Sequence, residues 1–152
     1  MPNPITFDSI SPRFGLPLLY VGQAQKEVFV NEAHALSDAL MHCAIEGIAA
    51  APPATPGEGS NWLVAPSPTG DWTGQAGKLA CRQAGNWIFV APRDGMRLLN
   101  RVSGQDMRYY AGWQFPVRPT APSGGTVIDS QARSAIGDLV NALTLSGVLP
   151  VS

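Results

Sequence analysis

Trp62, Trp72, Trp87 and Trp113, with Tyr109 and Tyr110, are the side chains of this sequence whose chemistry could reach outside it. Flat aromatic faces stack on the apolar faces of pyranose rings while neighbouring polar groups read the hydroxyls, so the chemistry they suggest is carbohydrate binding. Aromatic rings on a hairpin sheet more often fill a core, and Trp62, Trp87 and Trp113 are read as packing. Trp72, set between Gly70-Asp71 and Thr73-Gly74 in a turn-like stretch, is the indole expected at the surface. Tyr109 and Tyr110 are neighbours in a strand pattern and so point to opposite faces, which leaves one of them outside a single core.

The acids offer a second chemistry. Glycoside hydrolysis needs two carboxyl groups facing across the scissile bond. Glu58, Asp71, Asp94 and Asp106 fall instead in turn segments, where acidic side chains commonly accept hydrogen bonds from nearby amides. His34 and His42 are not four apart and have no carboxylate or cysteine at ligand spacing, and Cys43 and Cys81 lack the close Cys or His partner that metal sites use. The cysteines read as two buried thiols in a reducing compartment. No nucleophile with a base and an orienting partner emerges, so the chain is read as non-enzymatic, with no catalytic residue, no metal and no cofactor.

A third group is polar. Gln23, Gln25, Lys26, Glu27, Asn31 and Glu32 gather where a helix should begin, and Gln23, Glu27 and Asn31 stand one turn apart on one face. Their expected work is a hydrogen-bonded network that sets register between helices of neighbouring subunits.

The elements that must position these groups follow from periodicity. Residues 1–22 carry prolines at 2, 4, 12 and 17 and read as an extended arm. Over 23–50, Phe29, Ala33, Leu36, Leu40 and Cys43 form a helical stripe, closed by Gly47 and by Ala51-Pro52-Pro53. Residues 51–119 hold short β-rich pieces at Asn61–Ala65, Lys78–Gln83, Trp87–Ala91, Arg97–Val102, Met107–Tyr110 and Trp113–Phe115, separated by Gly, Pro, Asn and Asp, which describes a small antiparallel sheet. Ala84-Gly85-Asn86-Trp87-Ile88-Phe89 and Ala111-Gly112-Trp113-Gln114-Phe115 look like one hairpin turn used twice. After a linker over 120–128, residues 129–152 read as a helix capped by Asp129, with Ala132, Ile136, Leu139 and Leu143 in a narrow apolar seam and Gly147 at its end. The fold class expected is α+β: an N-terminal arm and long helix, a small antiparallel β hairpin domain and a C-terminal oligomerisation helix.

Composition bounds the partners. The chain has 152 residues, 45% hydrophobic, and a formal net charge of −1 with 14% charged residues. That is enough apolar content for a real core, and it offers no basic footprint for nucleic acid and no polybasic strip for a membrane. No stretch approaches the apolar length needed to span a bilayer, and Met1-Pro2-Asn3-Pro4 has no export signal behind it, so synthesis in the cytoplasm is expected.

The string Leu16-Pro17-Leu18-Leu19-Tyr20-Val21-Gly22-Gln23-Ala24-Gln25-Lys26-Glu27, followed by Asn31-Glu32-Ala33 and Leu36-x-Asp38-Ala39-Leu40, resembles the N-terminal signature of an uncharacterised-domain family found in bacteriophages, prophages and gene transfer agents. The resemblance continues through Ala51–Gly59, Thr69–Trp72, Gly77–Ala80, Gly85–Trp87 and Ala91–Gly95, and Gly124–Arg133 looks like the tail that closes such proteins. It implies a virion component of the head-spike, fibre or fibre-base type, made in the host bacterial cytoplasm and involved in host attachment, some members contacting surface polysaccharide. The family carries no known chemistry to transfer.

The expected function is therefore structural: a homo-oligomer, trimeric as fibres generally are or pentameric at a fivefold vertex, joined to other virion proteins of the capsid, tail or fibre. The interface residues expected are Gln23, Glu27, Phe29, Asn31, Leu36, Leu40, Ile136, Leu139 and Leu143. The alternatives are a carbohydrate-binding module using Trp72, Tyr109 and Tyr110 against host capsule, or a small polysaccharide hydrolase.

Overall fold

The computed structural model describes residues 8–151, which form two helices and eight strands in an α+β fold. The strands make two sheets of four, and the chain divides into two compact units, one holding residues up to Cys43 with Ile48–Pro92, the other Ala44–Gly47 with the chain from Arg93.

In the first unit α1 (Lys26–Leu40) is shorter than the helical stripe suggests. Met41 is extended and His42 takes a left-handed φ of 46°, so the helix stops before Cys43. The residues beyond it become strands β1 (Ala44–Ile45) and β2 (Ile48–Ala49). A few apolar residues in a row satisfy the helical and the strand period alike, and here the strand wins. Arg13 closes the helix: its guanidinium donates to the carbonyls of Asp38 at 2.5 Å, Ala39 at 2.8 Å, and Met41 and His42 at 3.1 Å each. Those carbonyls have no helical partner of their own, and a cation is favoured at the negative helix end.

The first sheet runs β2-β3-β4-β5, with β3 (Asn61–Val64), β4 (Leu79–Gln83) and β5 (Asn86–Val90); β2 pairs parallel to β3 and the rest are antiparallel. Alternation splits its residues between two faces. On one, Val64 and Ala80 are buried with Trp72, and Trp62, Trp87, Phe89 and Ala49 pack around them. On the other, Asn61 ties the sheet to the end of α1 by donating to the Ala39 carbonyl at 3.0 Å.

The second unit repeats the connectivity. Its sheet runs β1-β6-β7-β8, with β6 (Arg97–Asn100), β7 (Gln105–Tyr109) and β8 (Trp113–Gln114), again one short parallel strand beside an antiparallel meander. Both meanders turn through an Ala-Gly pair at positive φ, 48° and 75° at Ala84-Gly85 and 51° and 150° at Ala111-Gly112. The hairpin repeat expected from sequence is thus present, but as two mixed sheets in place of one antiparallel domain. Ile45, Leu98 and Met107 form the buried layer of this unit, with Leu149.

The second helix, α2 (Ser130–Leu145), starts and stops as its caps dictate. Asp129 accepts from the Ala132 amide at 2.9 Å, and Gly147, at φ 75°, lets Val148 fold back to donate to the Leu143 carbonyl at 2.9 Å. The chain beyond it is fastened to the sheet: the Asp106 amide donates to the Gly147 carbonyl at 2.6 Å and the Val151 amide to Ser103 at 3.2 Å. The helix itself buries none of its residues.

Candidate functional site

A concavity lies in the first unit, and a folded-back loop builds one of its walls. Residues 9–18 close on themselves through an antiparallel bridge between Ile10 and Pro17 and a 2.9 Å bond from the Leu18 amide to the Ser9 carbonyl. What holds the loop is Asp38, fully buried near the end of α1. Its carboxylate accepts from the Ser11 hydroxyl at 2.6 Å, the Phe14 amide at 2.7 Å, the Arg13 amide at 3.1 Å and Gln83 Nε2 at 3.3 Å. Burial pushes the Asp38 carboxyl up, but the donors from Ser11, Phe14, Arg13 and Gln83 together outweigh it and hold the group below its ordinary value.

A second clasp follows at once. Asn31 donates to the Leu19 carbonyl at 3.0 Å and accepts its amide at 2.8 Å, and Glu27 accepts the Gly22 amide at 3.2 Å. Glu27 and Asn31 therefore bind residues 19–22 of their own chain. The part of the expected extended arm that is described is a loop pinned to α1; residues 1–7 lie outside the described residues. Ala24 and Gln25 enter the helix at φ 56° and 65°, a conformation costly for residues with a Cβ.

Between this loop, α1 and the β4–β5 hairpin opens a cleft of about 740 Å³. Ile10, Leu18, Val28, Ala35 and Ile88 supply its apolar lining, and Glu32 and Glu58 are its carboxylates. Glu58 is engaged, accepting the Gly85 amide at 2.9 Å and standing 3.6 Å from Arg82 Nε. No Lys, Arg or His is among the described residues that line the cleft.

The other expected site residues are dispersed. Trp72 is not a surface indole: a 3₁₀ turn over Gly70–Trp72 drops it into the core at 0% exposure, 5.1 Å edge-on from Trp87 and 6.4 Å from Trp62. Small flanking residues permitted the turn, and the indole then followed its apolar area inward. In the second unit Tyr110 is exposed, while Tyr109 packs edge-on against Trp113 at 5.2 Å. Of the acids expected in turns, Asp94 accepts the Ala111 amide at 2.8 Å, whereas Asp106 falls within β7 and not in a turn. Cys43 and Cys81 are free and buried, and burial pushes the Cys81 thiol up to about 12. Among the described residues no group of three or more His, Cys, Asp or Glu is arranged to hold a metal ion, and no helix is long and apolar enough to cross a membrane.

The stripe residues differ in burial. Phe29 is 75% exposed, and Ile136 and Leu139 stand at 46% and 60%; Gln23 is exposed, and Leu36, Leu40 and Leu143 are half-buried. Val28, beside Phe29, is exposed as well.

Residues 30–115 match a family described as a protein of unknown function, DUF2793. The chain belongs to the DUF2793 family. The matched stretch runs from the second turn of α1 through both sheets, so the doubled sheet is what the family match covers. The Asp38 side chain and Gln83 fall inside it, whereas Ser11, Arg13 and the segment clasped by Asn31 precede it and α2 follows it. No curated protein matches the chain.

Sequence reasoning missed Asp38 and Arg13 as a pair of anchors. The available signal was an acid seated among apolar helix residues, Leu36-Ser37-Asp38-Ala39-Leu40, where a charge is stable only with donors around it.

Proposed function

We propose that this protein is an oligomeric structural component of a phage or phage-like particle, of the head-spike, fibre or fibre-base type, acting in host attachment. Its work is assembly. The observation that carries the reading is the apolar surface left on both helices: Phe29 on α1, Ile136 and Leu139 on α2, all more than two-fifths exposed in the single chain. Burying such surface yields roughly 25 cal/mol per Å², and it has no cover among the described residues. The resemblance of residues 16–115, and of the tail over 124–133, to phage, prophage and gene-transfer-agent proteins supports the particle. Residues in the sheets then serve as the adaptor body.

Sedimentation equilibrium of the purified chain across a wide concentration range tests the assembly step. A closed oligomer, trimeric or pentameric, is the expected result; a monomer throughout overturns it. Density of an intact particle containing the protein locates it on head or tail.

A further inference from the structure

Strand β5 ends the first sheet, and it carries none of the devices that protect a sheet edge: Asn86-Trp87-Ile88-Phe89-Val90 has no Pro, no charge and no bulge. Which of its backbone groups face outward follows from its partner. Arg82 directs its amide to the Ser60 carbonyl at 2.9 Å and its carbonyl to the Gly59 amide at 2.8 Å, away from β5. The Arg82–Trp87 pair is thus the non-hydrogen-bonded kind, and Ala80–Phe89, two residues on, is the same. The N–H and C=O of Trp87 and Phe89 therefore point off the sheet, and among the described residues none bonds to them. Their side chains lie in the Trp72 core layer, while Asn86 and Ile88 on the opposite face line the 740 Å³ cleft.

We propose that β5 and the cleft together are a docking site for an extended segment of another protein, which adds as a fifth strand and carries an aliphatic residue and a Lys or Arg on the same face. The strand form is set by the two outward amide–carbonyl pairs, which only an extended backbone satisfies in register. The aliphatic residue meets Ile10, Val28 and Ile88. The cation is set by charge: Glu58 is already engaged by Arg82 and the Gly85 amide, whereas Glu32 is exposed with no partner among the described residues, and no cationic side chain is among the described lining residues. Residues two apart in a strand share a face, which fixes the spacing of the aliphatic and basic residues. The site goes beyond the assembly reading, because it requires a partner strand and not a second copy.

The probe is the peptide acetyl-Thr-Ile-Thr-Lys-Thr-Val-amide, titrated calorimetrically into the full chain and followed by amide exchange. Binding with a Kd on the order of 10 µM is expected, with exchange at Trp87 and Phe89 slowed at least tenfold. Two versions N-methylated on alternate sets of residues are then compared: one loses binding and the other keeps it, because only one set of amides faces β5. The exposed Glu32→Lys variant weakens the lysine peptide about tenfold and takes up its glutamate counterpart, with an unchanged circular dichroism spectrum. Equal binding by both methylated peptides overturns strand addition. So does absent binding, or Trp87 and Phe89 amides already protected in the free chain, as they would be if residues 1–7 or a second copy occupied the edge. Each result reads independently of sedimentation, since a monomer can bind the peptide and an oligomer can fail to.

Discussion

The carboxylate of Asp38 accepts the Phe14 amide at 2.7 Å across 24 residues of sequence, and with the Ser11 and Arg13 donors beside it that contact holds an N-terminal loop as the wall of a cleft. The loop's outward residues Ile10 and Phe14 are 53% and 45% exposed, so hydrogen bonds rather than apolar burial hold it.

Asp38→Asn keeps the shape but offers one acceptor oxygen where the carboxylate offers two, leaving buried donors from Arg13 or Gln83 unmet. A loss of about 3 kcal/mol in urea unfolding is expected. The wild-type carboxyl is held below its ordinary value of 3.8, so its contribution is complete above that value and disappears as pH falls through the still lower value of the folded state. Acid unfolding of the Asn variant should lack this component.

The thiols should be silent in the folded chain. Burial pushes Cys43 up and Cys81 to about 12, from an ordinary value of 9.0, so neither forms the thiolate that alkylating agents need. Iodoacetamide at pH 8 should label both only after denaturation. A raised value also means that stability is intact below pH 9 and drains away as pH climbs from there toward 12, as the unfolded chain ionises first.

Trp72→Ala should cost about 4 kcal/mol, the usual penalty for removing a large buried aromatic side chain, and should disturb the near-ultraviolet signal of Trp62 and Trp87, which touch it. A surface indole would give a change below about 0.5 kcal/mol. Thermal melts followed by near- and far-ultraviolet circular dichroism separate the outcomes.

Ile136→Ser with Leu139→Ser should lower the melting temperature of the dissociated chain by no more than about a few degrees, since the two residues are 46% and 60% exposed on α2. The same pair should weaken association at least tenfold by sedimentation if the α2 seam is an interface.

The six β windows and the C-terminal helix were legible because turn chemistry announces itself. Ala84-Gly85 and Ala111-Gly112 mark the hairpins, and Asp129 and Gly147 mark the helix ends. Two features were hidden for a physical reason. Ala44-Ile45 and Ile48-Ala49 continue a helical stripe in sequence, and only pairing with Leu99-Asn100 and Leu63-Val64 makes them strands. Trp72 sits among turn residues, and its burial depends on Val64 and Ala80, which arrive from elsewhere in the chain. The cleft was illegible for the same cause: Ser11, Asp38 and Gln83 meet only after the loop, helix and sheet have each formed.

Two residues, Glu46 and Gly47, separate a strand of one sheet from a strand of the other. Synthesis consequently delivers β1 long before its neighbour: Ala44 pairs with Leu99, and the whole first sheet emerges in between. A protease nick after Pro92 would release a C-terminal fragment missing an edge strand, while excising 48–92 would remove one sheet and spare the other. Genetic dissection should follow that seam, because the segment 48–92 is interposed between β1 and the strand it pairs with.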